Sequence, residues 1–401
     1  MKRYNRPIAI FIALAMLVLV AACGRTPQED PPPPLAYPWV FVHGLNGYGE
    51  DSALPHYWGG TAGNLLESLR HAGFECYAPS VSAAGSAWDR AVELFAQLTG
   101  TQVDYGIAHS QRHDVERFGT TYEDPLFEGW GEQDEYGRRM RVNLLGHSFG
   151  GATIRMLAAL LLHGCPDEQA AARAAGEDIS PLFQGGKADW IFSITTIAAP
   201  HNGVSLLSAL DFNPTLAAIA AAVSQTEIDT TLSALGINIP GVTSFTEFLR
   251  AAEDSNTAYA DLSIAGAQAL NERTALASQT YYFSFAVDGT NNGRPSADMS
   301  LPAQTLGVFI SSFTMHPPAG INDQWRANDG LVNTISATFP FSEDHTIVNP
   351  EDFTPSPGIW NVMPIVRGDH GSVIGLGRTM EQTLPLYLTH MQMVDRLSTG
   401  E

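Results

Sequence analysis

Basic side chains are scarce in this 401-residue sequence, in which 21 Lys and Arg stand against 42 Asp and Glu. The formal charge of −21 at pH 7 excludes the positive surface with which proteins bind nucleic acid. Cysteine is rarer still, since only Cys76 and Cys165 accompany Cys23 near the N-terminus. In an oxidising compartment these two cysteines are allowed to pair, but the sequence does not show that they meet.

The longest apolar run, residues 8–20, follows Lys2, Arg3 and Arg6. A basic start, a short apolar stretch and small residues are typical of an export signal, and the run is short for a membrane span. Its end, Val-Ala-Ala-Cys, resembles the lipobox of bacterial lipoproteins, in which cleavage precedes a cysteine that carries lipids. The sequence therefore predicts a signal peptide over residues 1–22 and lipid attachment at Cys23. An ordinary signal peptide, with secretion, is the alternative.

Residues 23–35 form a polar spacer with four consecutive prolines, which favours an extended, semi-rigid linker. This linker would hold the domain formed by residues 36–401 off the membrane. Position 24, directly after the cysteine, is glycine and not the aspartate that retains enterobacterial lipoproteins at the inner membrane. We therefore expect display at the outer membrane or cell surface. Over its full length the chain has 44% apolar residues, which is ample material for a core.

The motif Gly-His-Ser-Phe-Gly at residues 146–150 organises the rest of the chain. A β-rich run precedes it and a helix-forming run follows it as far as Gly164. A serine at the turn between such a strand and helix is typical of the nucleophile elbow of α/β-hydrolases. The sharp turn strains the serine backbone and leaves no room for side chains at 146 and 150. Ser148 is therefore the predicted nucleophile, and an incidental serine in a Gly-rich turn is the alternative.

Other strand signals alternate with helical stretches, which predicts an α/β fold with a mostly parallel central sheet flanked by helices. Two stretches, about 50–137 and 204–270, are predicted as insertions that form cap and lid segments on the catalytic face. Within the second, residues 212–223 form an amphipathic helix that either packs on the domain or moves as a lid. The predicted strands are residues 37–42, 75–79, 140–145, 189–197, 279–286 and 359–366, and one helix is predicted from Trp88 to Leu98.

The first predicted strand runs into His43-Gly44. In α/β-hydrolases this pair positions one main-chain N–H of the oxyanion hole, and the residue after the nucleophile supplies the other. Leu45 and Phe149 are therefore the predicted donors. His43 precedes the nucleophile in the chain and is interpreted as structural.

The order of nucleophile, acid and histidine in this fold places both partners of Ser148 later in the chain. Only His370 lies in a loop just after a late strand, whereas His390 falls inside the C-terminal helix and is expected at the surface. Asp329, in a polar turn before an apolar run, is the predicted acid. Asp323 is its nearest competitor.

Short stretches spread along the chain also match a known family: Tyr57-Trp58-Gly59-Gly60, Trp88-Asp89-Arg90, Asp104-Tyr105-Gly106, Arg117-Phe118-Gly119, Ser180-Pro181-Leu182-Phe183, Thr195-Thr196-Ile197-Ala198, Pro200-His201, residues 259–266, Trp325 and Asn328-Asp329-Gly330. From Val40 onward the chain resembles the staphylococcal and thermoalkalophilic Bacillus-type true lipases, lipase family I.5. The catalytic serine, aspartate and histidine of that family fall on Ser148, Asp329 and His370.

The resemblance implies a zinc site in the inserted region, with Asp89 and His109 as two of its four ligands. The second histidine position holds Val115, and no fourth ligand is found near Leu232. His113 would replace the missing imidazole only in a rearranged loop. Because structural zinc normally has four protein ligands, the zinc site is incomplete.

The calcium site that the resemblance implies falls on Ser372, Gly377 and Arg378. Calcium needs oxygen ligands, and a basic side chain argues against it. We therefore expect no required cofactor and no calcium, and a bound zinc is the alternative.

The triad and the resemblance together imply a serine carboxylic-ester hydrolase, a lipase or esterase, that cleaves lipids or other apolar esters through an acyl-enzyme. Polyester hydrolysis is an expected side activity, because an open apolar groove accepts long chains. A non-catalytic surface lipoprotein that uses the fold as a binding module is the alternative. Acyl-chain length, natural substrate and oligomeric state are not specified by the sequence.

Overall fold

The computed structural model describes residues 36–206, 255–313, 322–349 and 353–399. The predicted signal peptide, Cys23 with its linker, and the predicted lid helix at 212–223 lie outside these ranges. Ala36–Glu401 forms one structural unit. Within the described ranges, no helix is both long and apolar enough to cross a membrane.

Seven parallel strands form the central sheet, which confirms the predicted α/β fold with a mostly parallel sheet. The strands of the described residues, in chain order, are β1 Trp39–Val42, β2 Cys76–Tyr77, β3 Gln102–Asp104, β4 Phe118–Thr121, β5 Val142–His147, β6 Ile191–Ile197, β7 Tyr281–Phe285, β8 Val287–Asp288, β9 Thr290–Asn291, β10 Arg294–Pro295, β11 His345–Ile347, β12 Trp360–Val362 and β13 Val366–Arg367. The order across the central sheet is β11-β12-β7-β6-β5-β1-β2.

Helices cover both faces of this sheet. In the described residues they are α1 Leu65–His71, α2 Ala87–Thr99, α3 Ile107–His113, α4 Gly150–His163, α5 Pro166–Ala175, α6 Ala258–Leu262, α7 Ile264–Asn271, α8 Leu301–Phe313 and α9 Met380–Thr399. Strand β1 shows how the two layers are divided. Val40 and Val42 belong to the core beneath α2 and α4, whereas Trp39 and Phe41 belong to the core beneath α1 and α9. Successive side chains of a strand point to opposite faces, so a strand buried on both faces is apolar throughout.

The ends of the helices follow from local chemistry. Helix α2 begins after Ser86, whose hydroxyl accepts a hydrogen bond from the Asp89 N–H, and ends at Gly100 in the left-handed conformation. Helix α4 begins directly after Phe149 and ends at Gly164. These two helices pack against each other over the strands that carry the predicted site.

The predicted insertion at about 50–137 is too broad. Strand β2 pairs with β1 in the central sheet, and α2 packs on α4, so both belong to the core. The stretch after Gly100, which showed no strong periodicity, contains the antiparallel pair β3 and β4 with helix α3 between them. Its strands are too short to produce a visible alternation of apolar and polar residues.

The other differences lie toward the C-terminus. The predicted strand 359–366 is two strands, β12 in the central sheet and β13 paired with β8; Pro364, which has no N–H to donate to a ladder, lies between them. The edge strand β11 was not predicted. The expectation that His390 lies at the surface is wrong: the side chain is 4% exposed, and the Thr195 hydroxyl contacts its Nε2 at 2.7 Å.

Candidate active site

Ser148 occupies the turn between β5 and α4. Its φ of 54° lies in the left-handed region, and its N–H donates to the Ile197 carbonyl at 2.9 Å. A Cβ on Gly146 would lie 2.5 Å from the Gly150 carbonyl carbon, and one on Gly150 would lie 2.1 Å from the Val42 carbonyl oxygen. The expected strain and the steric need for both glycines are confirmed.

His370 lies between Ser148 and Asp329. Its Nε2 is 2.9 Å from the Ser148 hydroxyl oxygen, and its Nδ1 is 2.8 Å from Asp329 Oδ2. A carboxylate accepts hydrogen bonds, so Nδ1 carries the proton and Nε2 is left with the lone pair that faces the serine. The structure thus brings together the three residues that the sequence predicted.

Asp329 is held rigidly. Its carboxylate is 1% exposed, and Oδ1 accepts hydrogen bonds from the N–H groups of Leu331 and Val332 at 2.9 and 2.7 Å. Its own carbonyl accepts the His370 N–H at 2.8 Å, which fixes the two loops to each other. Asp323 lies elsewhere: its carboxylate is 86% exposed and faces Arg326.

Leu45 follows Gly44 in the loop after β1, and Phe149 follows Ser148 in the elbow. The register of β1 on β5, with Val42 opposite Gly146, brings the loop after β1 beside the elbow. A Cβ on Gly44 would lie 2.8 Å from Ser148 Cβ, so this glycine permits the close approach. Among the described residues, no protein group accepts the main-chain N–H of Leu45 or of Phe149.

His43 is buried behind this loop. Its Nε2 accepts the Val81 N–H at 3.1 Å, so Nδ1 carries the proton toward the Gly44 carbonyl at 2.8 Å. Burial, with the nearby Arg90 guanidinium, lowers the pKa of His43 to about 3. The ring is therefore neutral, and its contacts hold the loop.

Two further residues join the loop to His370. The Gly44 N–H donates to the Tyr57 hydroxyl at 2.8 Å, and that hydroxyl lies 2.7 Å from His147 Nδ1. The opposite nitrogen, Nε2, faces the His370 carbonyl at 3.0 Å and must carry the proton. Burial and the neighbouring His370 hold the pKa of His147 well below its usual value. Sequence reasoning missed this bridge because Tyr57 and His147 are 90 positions apart.

Of the implied zinc site, Asp89 and His109 lie together, and the position near Leu232 lies outside the described residues. His109 Nε2 lies 2.9 Å from Asp89 Oδ1, and the Asn256 amide donates to Asp89 Oδ2 at 3.0 Å. The His109 ring stacks on Trp88, and the centres of the His109 and His113 rings are 4.6 Å apart. In the part of the chain that the structure describes, no three or more His, Cys, Asp or Glu residues are placed to hold a metal ion. The two matching ligand positions, Asp89 and His109, are thus in direct hydrogen-bond contact with each other.

The implied calcium site fits no better. The Ser372 hydroxyl donates to the Asp369 carbonyl at 2.9 Å, and Arg378 donates to the Arg367 carbonyl at 2.7 Å. Gly377 has no side-chain oxygen. A guanidinium in this loop is incompatible with a dication held by oxygen ligands.

Both remaining cysteines are free. Cys76 is buried in the core, and Cys165 is half-buried at the start of α5. Burial raises the pKa of the Cys76 thiol to about 12, so this residue is an inert core side chain.

The family model for the "Lipase-like, C-terminal domain" matches residues 35–385. The chain belongs to this lipase-like family. A lipase of Staphylococcus epidermidis is 33% identical over 363 residues, which are 85% of this chain and 50% of the relative. The chain thus spans about half the length of the curated relatives that it matches.

Solved structures of the family agree with the observed fold. The crystal structure of Staphylococcus hyicus lipase is 33% identical, with a TM-score of 0.73 over 94% of this chain and 100% of that chain. Lipase 1 from Pelosinus fermentans is 32% identical, with a TM-score of 0.71 over 90% of this chain and 98% of that one. The lipase-like domain is therefore an α/β-hydrolase fold, and the resemblance to staphylococcal lipases is confirmed.

Proposed function

We propose that this protein is a serine carboxylic-ester hydrolase that cleaves lipids or other apolar esters. One observation carries the proposal: an unbroken hydrogen-bonded line runs from Asp329 through His370 to Ser148. The line ends beside two main-chain N–H groups without protein partners among the described residues. The similarity of the chain to proteins named lipases supports the same chemistry.

The geometry gives each residue a role in the reaction. Ser148 Oγ attacks the ester carbonyl while His370 Nε2 takes its proton, and the oxygen that becomes negative accepts hydrogen bonds from the Leu45 and Phe149 N–H groups. His370 then returns the proton to the leaving alcohol. Water repeats the sequence on the acyl-Ser148 ester and releases the acid. Asp329 holds the Nδ1–H tautomer and stabilises the imidazolium.

The alternative, a binding module without catalysis, has no observation in its favour. A binding site does not need a strained serine, a histidine oriented by a buried carboxylate, and two free N–H donors at the same point. Polyesters extend the proposed substrate range, because the reacting group is the same ester carbonyl.

Hydrolysis of p-nitrophenyl esters, from acetate to palmitate, tests the proposal. We expect release of p-nitrophenol by the wild type, and faster cleavage of long esters once they form an emulsion if the protein acts as a lipase. Equal rates in solution and in emulsion would assign an esterase. A correctly folded protein that hydrolyses none of the series would contradict the proposal.

We further propose that the protein is exported and anchored through lipid on Cys23 at the outer membrane or cell surface. The lipobox-like sequence and the proline-rich linker support this location. In the Cys23→Ser variant we expect release from the membrane fraction with unchanged specific activity. Retention of the variant in the membrane would refute the anchor, and release of the wild type itself would favour secretion.

The proposed reaction does not require a metal ion. Each proton and charge in it is assigned to a side chain or main-chain group, and the residues at the implied zinc and calcium sites are paired with other protein groups.

A further inference from the structure

Arg90, on helix α2, is a fully buried cation with neutral acceptors. Its Nε donates to the Thr153 hydroxyl at 2.9 Å, and its Nη1 donates to the Ser82 carbonyl at 3.1 Å. No carboxylate of a described residue forms an ion pair with it. Burial lowers the pKa of Arg90 to about 10, so the guanidinium stays charged at neutral pH. The Glu93 carboxylate offsets part of the cost of this burial electrostatically, but the direct hydrogen bonds of the guanidinium all go to neutral groups.

The remaining hydrogen bonds of Arg90 go to the loop that carries Leu45. Nη2 donates to the His43 carbonyl, and Nη1 donates to the Gly44 carbonyl at 3.3 Å. The Gly44 carbonyl and the Leu45 N–H belong to one peptide group, which is planar and trans, so its C=O and N–H point in opposite directions. A donor that fixes the C=O therefore aims the N–H. A charged donor also polarises the peptide and strengthens the N–H as a donor on its other side.

The same side chain also contacts the ring of Phe149, the residue whose N–H is the second predicted donor. Its Cζ lies 5.2 Å from the centre of the Phe149 ring. The Thr153 hydroxyl that accepts from Arg90 also donates to the Phe149 carbonyl at 3.3 Å. Arg90 thus connects the loop after β1 with the first turn of α4.

We propose that Arg90 is a positioning residue that sets the orientation of the two oxyanion donors, Leu45 N–H and Phe149 N–H. This inference rests on the proposed ester hydrolysis. It assigns Arg90 no contact with the substrate. Its effect is confined to steps in which negative charge develops on the carbonyl oxygen.

Arg155 provides a matched control. It is also fully buried, lies on α4, and has a pKa lowered by burial. Its Nη2 donates to Asn271 and Thr274 and faces Glu343, and none of these partners belongs to the loop after β1. The variants Arg90→Lys and Arg155→Lys therefore both disturb a buried cation, but only the first disturbs the oxyanion donors.

The test combines kcat and KM for p-nitrophenyl butyrate with the Ki of an alkyl trifluoromethyl ketone. Ser148 adds to the carbonyl of this ketone: the Oγ–C bond forms, the C=O π bond breaks, the serine proton goes to His370, and the oxyanion remains. For Arg90→Lys we expect kcat to fall between about 10-fold and 100-fold, with the Ki raised in parallel and KM within about twofold. Arg155→Lys should keep kcat and Ki within about twofold of the wild type even if its melting temperature falls.

Equal kcat and Ki effects of Arg90→Lys and Arg155→Lys would overturn the positioning role. Should Arg90→Lys fail to fold, Thr153→Val removes the anchor of the Arg90 Nε instead. We expect that variant to lower kcat and weaken the ketone together, by a smaller factor, and an unchanged Ki would contradict the inference. Failure of the wild type to hydrolyse the ester would instead contradict the proposed function itself.

Discussion

A single buried carboxylate decides which nitrogen of His370 carries the proton. Asp329 accepts two main-chain N–H bonds on one oxygen and the imidazole N–H on the other, so neither the carboxylate nor the ring is free to turn. Asp323, six positions earlier in the sequence, has an exposed carboxylate beside Arg326. Both residues are aspartates, so only their contacts distinguish the one that orients His370 from the one that does not.

We predict that Asp329→Asn lowers kcat by roughly 10⁴-fold, because an amide in this place favours the wrong tautomer of the histidine, as it does in serine proteases with the same triad. Asp323→Asn is the control and should leave kcat within about twofold. Initial rates on p-nitrophenyl butyrate measure both. If Asp323→Asn proved the more damaging of the two, the acid would have to be reassigned.

The roles proposed for Ser148, Asp329 and His370 could be predicted from motif, chain order and loop context, because the elbow fixes the serine and the fold fixes the order of its partners. The roles of Tyr57, His147 and Arg90 could not. Their partners are main-chain carbonyls and distant side chains, and a sequence pattern does not record which peptide group lies within reach of a buried donor.

At the scale of elements, a polar contact connects α2 and α3. Asp89 on α2 shares its two oxygens between His109 on α3 and the Asn256 amide. The resemblance predicted two metal ligands here. It could not show that they contact each other, because the third partner, Asn256, is far away in sequence and is not a typical metal ligand.

We predict that EDTA leaves the ester hydrolysis rate unchanged and shifts the melting temperature by no more than about 1 °C. The reason is that, without a bound metal, no ion contributes to the stability of the native state. Differential scanning fluorimetry with and without the chelator measures this. A marked fall in melting temperature that zinc reverses and calcium does not would mean that a metal bridges Asp89 and His109. His113 would then be the first candidate for a further ligand.

The secondary structure predicted best was the buried part. Strands β1, β5, β6 and β7 are apolar runs covered by helices on both faces, and such runs are visible in sequence. Short strands at the edges, β11 among them, have mixed exposure and no periodic signal. Their place is set by pairing with a neighbouring strand, which is a long-range contact.

At the scale of the whole molecule, the two-layered core buries neutral histidines, and this couples its stability to pH. His390, on the buried face of α9, lies among Trp39, Phe283 and Phe285, and burial lowers its pKa to about 3. The unfolded chain takes up a proton here near pH 6.5, whereas the folded protein does so only near pH 3. The free energy of unfolding therefore falls as the pH drops below about 6.5. Above that pH the ring is neutral in both the folded and the unfolded state, and the full free energy of unfolding is retained.

We predict that His390→Gln, which preserves a partner for Thr195, flattens the pH dependence. Between pH 5.5 and 4.5 the slope of unfolding free energy should be smaller than in the wild type by about 1.4 kcal/mol per pH unit. Urea unfolding at several pH values measures the slope, with His71→Gln as the exposed control. Other titrating groups, including Asp261, whose pKa burial raises to about 6, cancel in the comparison. Parallel curves for wild type and His390→Gln would contradict the neutral buried state.

The central claim is that Ser148 is a nucleophile activated by His370. An alkyl phosphonate with a p-nitrophenyl leaving group tests it most directly, because attack by the serine oxygen on phosphorus releases p-nitrophenol and leaves a stable covalent adduct. We predict one phosphonyl group per chain, mapped by peptide mass spectrometry to Ser148, with loss of ester hydrolysis in the same proportion, and no adduct in a folded Ser148→Ala variant. An adduct on any other residue, or normal ester hydrolysis by Ser148→Ala, would contradict the claim.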